Sequence, residues 1–361
     1  MINQFLNLKI LLTFWDIIRR KDFMLGKAVQ EIEAKLADYC EAKYAFGVAN
    51  GTDALILSLK ACDIGPGDEV ITPAVGFFSP AAAIAWVNAV PVFVDVDLGT
   101  FNIDVAKIEA AITPKTKAIL PIHLNGEMAD MEPILEIAQK HKLRVIVDAA
   151  QAIGSRYKDK PIGQFGDLVC LSFNHTKIFD GFGDGGMIFT NDKELAEKIS
   201  MMRTYGAPTL EEVHSNNVII GVASRLSPFH AVVLNIKFPF LESYIAKQRE
   251  NYFLYQKLLN GVGDLILPEK HSDYFINGYR FAVRTKRKKE LMDFLRKRGI
   301  RAIDPYAVPL PYLPAFKTLG YKTGDFPIAE QIAKESIALP VHYSLPQDKI
   351  ASIANQIKHF L

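Results

Sequence analysis

Two hydrophobic periods alternate along most of this chain. From about residue 27, Val29, Ile32, Leu36 and Tyr39 recur at helical spacing, and the short apolar run Tyr44-Ala45-Phe46-Gly47-Val48 follows, leading into Asn50-Gly51. The same alternation predicts a helix through Ala54 to Leu59, a strand at Glu69-Val70-Ile71, a helix from Ala81 to Val87 and a strand at Val92-Phe93-Val94. It continues through Ile108, the run Ala118-Ile119-Leu120-Pro121, the helical stretch Ile134 to Ala138, and Val145-Ile146-Val147. A further apolar strand is expected at Asp167-Leu168-Val169-Cys170-Leu171. These strands are nearly continuous apolar runs, the pattern of a mostly parallel sheet covered by helices on both faces.

After Arg203 the pattern loosens. Residues 207–224 are polar and irregular, and a long helical stretch runs from Ala231 through Leu258, with a kink or break expected at Pro239. Beyond it, a strand at Arg280-Phe281-Ala282-Val283 and a helix from Leu291 to Lys297 suit a small α+β unit. The expected architecture is a large doubly wound α/β domain with its site at the carboxyl ends of the strands, and a small C-terminal domain closing over it.

Composition narrows the function classes. The chain has 361 residues, 49% hydrophobic and 23% charged, with a formal net charge of +2, ordinary values for a globular enzyme. That charge gives no reason to invoke nucleic acid or an anionic membrane. The basic run Arg284-Thr285-Lys286-Arg287-Lys288-Lys289 leads into the amphipathic stretch Glu290 to Leu295 and reads as the solvated start of a helix. Cys40, Cys62 and Cys170 are scattered through apolar sequence without metal-ligand spacing, so they read as buried hydrophobes in a reducing, cytoplasmic setting, with no metal site expected. The Leu- and Ile-rich segment Phe5 to Trp15 is too short to span a bilayer, and the cationic cluster Arg19-Arg20-Lys21 follows it. It is expected to be a packing segment or subunit arm.

Candidate chemistry centres on Lys177. It lies in Ser172-Phe173-Asn174-His175-Thr176-Lys177, after the apolar strand and before the glycine-rich turn Gly181-Phe182-Gly183-Asp184-Gly185-Gly186. A lysine delivered from a strand end into a loop of small residues can lose solvent without losing access, which favours the free amine and its attack on a carbonyl. Asn50-Gly51-Thr52-Asp53 sits between a strand and a helix, where free N–H groups, the helix dipole and the Thr52 hydroxyl make an anion cradle. The same residues also serve as routine helix caps. Asp148 ends a strand and suits a partner for a protonated ring nitrogen, with Gln151 three residues on to reach a ring substituent. Phe77 follows a strand and turn, and is fit either to pack in the core or to lie flat on an aromatic ring. Anion cradle, aromatic lid, strand-end Asp and loop Lys are together the parts that a pyridoxal 5'-phosphate enzyme needs.

The segments Asn50-Gly51-Thr52-Asp53-Ala54-Leu55, Gly65-Pro66-Gly67-Asp68-Glu69-Val70, Pro91-Val92-Phe93-Val94-Asp95, Asp148-Ala149-Ala150-Gln151 and Gly183-Asp184-Gly185-Gly186 resemble the DegT/DnrJ/StrS family of sugar aminotransferases, from about Phe5 to the C-terminus. The resemblance implies the fold of the type I pyridoxal phosphate enzymes. That is an N-terminal arm over residues 1–25, a large domain with a mostly parallel seven-stranded sheet over 26–240, and a small α+β domain over 241–361. It implies Lys177 as the lysine that links to the cofactor, Asp148 as partner of the pyridine nitrogen, Gln151 beside the cofactor hydroxyl and Phe77 as the stacking aromatic. Thr52 and Ser172 match the phosphate ligands, beside Gly51 and Asp53. His175, Arg225 and Tyr306 stand as substrate candidates.

The implied reaction transfers an amino group from L-glutamate to a keto group, at carbon 3 or 4, of a dTDP- or UDP-linked deoxysugar, in a homodimer with shared active sites. The products of such enzymes enter lipopolysaccharide O-antigens and other glycans. Two alternatives stay open: a sugar dehydratase of the same family, whose members replace the lysine with histidine, and a noncatalytic pyridoxal phosphate protein that regulates. The chain also departs from the family pattern. Ala223 stands in Gly221-Val222-Ala223-Ser224-Arg225 where an Asn is common, Pro305 and Pro311 stand where histidines are common, and Asn125 where an aromatic is common.

Overall fold

The computed structural model describes residues 2–269 and 271–361, with side chains from Leu8 onward. Seven strands form one sheet in the order 44–48, 186–190, 168–172, 144–148, 116–119, 69–73, 90–94. The four adjacent pairs from 168–172 to 90–94 are parallel. Gly186–Thr190 pairs antiparallel with both of its neighbours and is the one reversed strand of the sheet. The mostly parallel sheet expected from the apolar runs is therefore present, and its carboxyl edge gathers Pro73, Asp148 and Ser172.

Helices cover both faces. On one side Gly51–Ala61 buries Ala54, Leu55, Leu57 and Leu59 against Ile146, Leu168, Cys170 and Ile188 of the sheet. On the other, Val29, Ile32 and Leu36 of the helix Lys27–Tyr39 join a core with Val145, Val147, Val169, Leu171 and Phe189. Strand residues on both faces are buried, which accounts for their unbroken apolar sequence.

The long helical stretch is interrupted as Pro239 demands. Pro228–Lys237 passes through a 3₁₀ turn, Phe238–Phe240, into Leu241–Leu259. The C-terminal strands Phe281–Arg284 and Ser336–Leu339 pair antiparallel, and with the helices Leu241–Leu259, Lys288–Lys297 and Gln347–Phe360 they enclose a separate core around Tyr255, Phe281, Leu291, Ile337 and Ile350. The basic run ahead of Lys288 is only partly solvated. Arg284 ends its strand buried and pairs with Glu335 at 3.0 Å, and Lys288 pairs with Asp304 at 2.6 Å; Lys286, Arg287 and Lys289 are exposed. Cys40 and Cys170 are buried and Cys62 is half-buried.

The N-terminal helix Ile2–Arg20 packs Ile10, Phe14 and Ile17 on Phe229, Val232, Val233 and Ile236. Its Leu8, Leu11, Leu12 and Trp15 are exposed. No described helix is long and apolar enough to cross a membrane.

One buried ion pair ties the strand 44–48 to the helices beside it. Arg203 Nη1 donates to Glu33 Oε1 and to the Gly47 carbonyl at 2.9 Å, while Glu33 Oε1 also accepts the Gly47 N–H at 2.7 Å. The two side chains retain only 8% and 14% of their exposure. Arg203→Leu leaves Glu33 without its countercharge and is expected to destabilise the fold by about 3–5 kcal/mol. A urea unfolding midpoint should fall accordingly, and Glu33→Gln in the same chain should recover part of the loss.

Candidate active site

Lys177 is held by a loop closed at its base. Between the strands Leu168–Ser172 and Gly186–Thr190, Phe173 N–H donates to the Gly185 carbonyl at 2.8 Å and Gly181 N–H to the Phe173 carbonyl at 2.9 Å. Inside it, the Asn174 side-chain oxygen accepts from the Thr176 N–H and hydroxyl, at 3.2 and 3.0 Å, and the Lys177 N–H donates to the Asn174 carbonyl at 2.9 Å. These turns fix the backbone and leave the Lys177 amine half-buried, 5.2 Å over the ring of Tyr279. Burial would raise the Tyr279 phenol, but the neighbouring Lys177 and Arg280 cations outweigh it and hold it below its ordinary value.

Asp148 is fixed at the sheet's edge. Its N–H donates to the Pro121 carbonyl and its own carbonyl accepts from His123, both at 2.9 Å, while its Oδ1 accepts the Ala150 N–H at 3.0 Å. No described cation forms an ion pair with it, and burial pushes its carboxyl above the usual range, with the Ala150 N–H and the Lys177 charge opposing.

The anion cradle is built as its spacing suggests. Asn50 caps the helix Gly51–Ala61, its Oδ1 accepting the Asp53 N–H at 2.8 Å, and the Gly51 and Thr52 N–H groups of the first turn have no intrahelical acceptor. Gly51 packs so close to the strand end that an added Cβ would sit 2.8 Å from Ser172 Cβ. The Thr52 hydroxyl bonds that of Ser79, which lies in the first turn of a second helix, Phe78–Trp86. Two helix N-termini therefore converge here, with Ser172 close beside the first of them. The Asp53 carboxylate is engaged with the Ser224 hydroxyl at 2.7 Å.

Gly51, Thr52, Asp53, Phe77, Asp148, Gln151, Ser172, Lys177 and Tyr306 all line one cavity of about 1030 Å³. Phe77 stands at it 67% exposed. His175 and Arg225 are not among its lining residues: His175 is exposed on the loop, and Arg225 stacks on Tyr205 at 5.5 Å. Ser79, Tyr279 and Arg280 also line the cavity and escaped the sequence reading. The only sequence signal for the last two was the strand that starts beside them. Asn125 takes a left-handed conformation, φ 57°, which asparagine tolerates, and its N–H donates to Gln151 Oε1 at 2.9 Å.

A family profile for the DegT/DnrJ/EryC1/StrS aminotransferase family matches residues 7–358. The chain belongs to this family. Such enzymes work with pyridoxal phosphate. A relative described as a pleiotropic regulatory protein, from Geobacillus stearothermophilus, is 43% identical, covering 96% of this chain and 92% of that one. The UDP-N-acetyl-3-dehydro-alpha-D-glucosamine 3-aminotransferase of Acidithiobacillus ferrooxidans is 38% identical over 98% of this chain and 94% of its own. Among solved structures, S. venezuelae DesV in complex with a ketimine intermediate superposes with a TM-score of 0.94, at 34% identity, over 99% of this chain and 94% of that one.

The site of this DegT/DnrJ/EryC1/StrS aminotransferase fits the cofactor on its own chemistry. Asp148 is a buried carboxylate that forms no ion pair among the described residues, a partner that a protonated pyridine nitrogen would supply, and the two helix N-termini that meet at Thr52 and Ser79 suit a phosphate.

Proposed function

We propose that this aminotransferase moves an amino group from L-glutamate to a keto group, at carbon 3 or 4, of a nucleotide-linked deoxysugar. The observation that carries the reading is the meeting of Lys177, Asp148 and the paired helix N-termini in one cavity of about 1030 Å³, ample for a cofactor and a sugar. The sugar is dTDP- or UDP-linked, and the named activity of the Acidithiobacillus relative supports the UDP-linked form. Residues 241–361 act as the smaller unit: Tyr255, Phe281, Leu291, Ile337 and Ile350 share a core within it, Phe316, Phe326 and Ile332 pack with Phe93 and Phe101 of the large domain, and Tyr306, Pro340 and His342 line the cavity from that side.

When bound, the cofactor supplies an electron sink next to the reacting carbon. Thr52, Ser79, Ser172 and the Gly51 N–H hold its phosphate, Phe77 covers one face of the ring, and Gln151 holds the ring hydroxyl. Asp148 contributes a fixed negative charge that keeps the ring nitrogen protonated. Lys177 Nζ takes the proton from the donor's α-carbon and delivers it on the other side of the transfer, as general base and then general acid. The enzyme acts in the cytoplasm as a homodimer with shared sites, in the synthesis of amino sugars for O-antigens or other glycans. The exposed Leu8, Leu11, Leu12 and Trp15 support that assembly as an apolar face in search of a partner.

The test is the visible absorbance of the purified protein with pyridoxal phosphate, before and after excess L-glutamate. Conversion to the amine form of the cofactor, then its reversal by UDP-N-acetyl-3-dehydro-glucosamine or a related keto sugar, is the expected result. The name of the Geobacillus relative favours a second, regulatory reading, in which cofactor binds and neither step occurs.

A further inference from the structure

Arg280 is a half-buried cation of the cavity that forms no ion pair among the described residues. The two arginines that are fully buried, Arg203 and Arg284, each face a carboxylate. Arg280 has none among the described residues. Its guanidinium lies 5.3 Å from the Tyr279 ring and 5.5 Å from that of Tyr306, and Nη1 donates to the Tyr306 hydroxyl at 2.7 Å. That phenol proton is committed to Asn125 Oδ1, at 2.9 Å. Of the five N–H donors a guanidinium carries, the one to Tyr306 is the single side-chain donor with a described acceptor; the rest meet no described partner and belong to a residue that lines the cavity.

The position narrows what the missing partner is. One ring, that of Tyr279, touches both Arg280 and the Lys177 amine, at 5.3 and 5.2 Å. An anion beside Arg280 therefore sits close to the atom that Lys177 deprotonates. In an amino acid, the carboxylate is one bond from that atom, whereas a nucleotide's diphosphate is separated from a reacting ketone by the sugar ring. A planar fork with two free parallel donors matches a carboxylate in bidentate fashion.

We propose that Arg280, oriented by Tyr306 and Asn125, is the carboxylate-recognition residue for the amino donor. The assignment rests on the aminotransferase reading and names which of its two substrates this corner serves. Tyr306 is then a positioning residue, acting through the guanidinium.

Three measurements on the pyridoxal phosphate-loaded protein test it, with Arg280→Gln, Arg280→Lys and Tyr306→Phe beside the wild type. The first is calorimetric binding of glutarate, an unreactive carboxylate. The second is the L-glutamate concentration that gives half the maximal rate of cofactor conversion, and the third is the rate at which the amine form reacts with UDP-N-acetyl-3-dehydro-glucosamine. Arg280→Gln should weaken glutarate binding and raise the half-saturating glutamate concentration by about 10²-fold or more, as truncating one partner of a charge pair does, while the keto-sugar step changes little. Arg280→Lys should fall between, since it keeps the charge and loses the fork, and Tyr306→Phe should raise the glutamate requirement with little change in maximal rate. Unchanged glutarate and glutamate binding overturns the proposal whatever the sugar step does, and so does an equal loss in both steps. A wild type that binds glutarate yet converts no amino donor would sink the aminotransferase reading and leave the carboxylate site standing.

Discussion

Lys177→Ala should lower steady-state amino transfer by more than about 10⁴-fold, because one amine serves as attachment point, general base and general acid. The surrounding geometry makes the variant informative. The loop that carries Lys177 is closed by backbone bonds between Phe173, Gly181 and Gly185 and by the Asn174 side chain, none of which involves the amine. The fold should therefore survive, and so should cofactor binding through Thr52, Ser172 and Asp148. Borohydride treatment followed by mass measurement of peptides should fix pyridoxal phosphate to the wild-type peptide containing Lys177 and to no peptide of the variant. Retained turnover, or an attachment elsewhere, would remove Lys177 from the role assigned to it. The same measurement separates the dehydratase alternative, in which no lysine is linked.

The parts of the fold that were legible in the sequence are those in which a local pattern has one physical solution. Apolar runs such as Val145-Ile146-Val147 are buried on both faces, and only a helix-covered sheet does that. Pro239 broke its helix because a proline has no N–H to give and clashes with the preceding turn. The strand order was not legible. Gly186–Thr190 inserts antiparallel between the strands 44–48 and 168–172, a placement decided by packing across more than a hundred residues of chain. Arg284 and Lys288 misled for a related reason, since a basic run looks solvated until Glu335 and Asp304 arrive from elsewhere in the fold.

The site divides in the same way. Lys177, Asp148 and the Gly51-Thr52 turn are set by strand ends and a helix start, so their neighbours in sequence already announce them. His175 is adjacent to cavity residues in sequence, but the turn made by Asn174 faces it outward. Ser79, Arg280 and Asn125 are the reverse case. None has a role in the site readable from its neighbours, Asn125 standing out only as a departure from the family pattern and Arg280 only as the start of a strand, until tertiary packing brings each to a partner: Ser79 to Thr52, Arg280 to Tyr306, and Asn125 to Tyr306 and Gln151.

Asp148→Asn should separate stability from chemistry. The folded-state carboxyl is raised above its unfolded value by burial, so its ionised form is disfavoured in the folded chain. For a raised carboxyl the folded state binds more protons than the unfolded state between the two pKa values. The cost to stability is therefore absent below the unfolded pKa, grows as pH rises through this interval and is complete above the folded pKa. In the cofactor-free protein at neutral pH that cost is present, and an amide, which keeps an oxygen for the Ala150 N–H, removes it. The variant should unfold at an equal or higher temperature than the wild type without cofactor, and the difference should shrink as the pH is lowered through the acidic range. With pyridoxal phosphate the order reverses, because the wild-type carboxylate gains the ring's positive charge as its partner and the amide cannot. Maximal rate should fall by about 10³-fold or more, the scale of losing preorganised charge where it develops, and the cofactor should dissociate more readily. A variant less stable than the wild type in the absence of cofactor, or one that keeps its rate, would show that Asp148 serves the fold instead of the ring nitrogen.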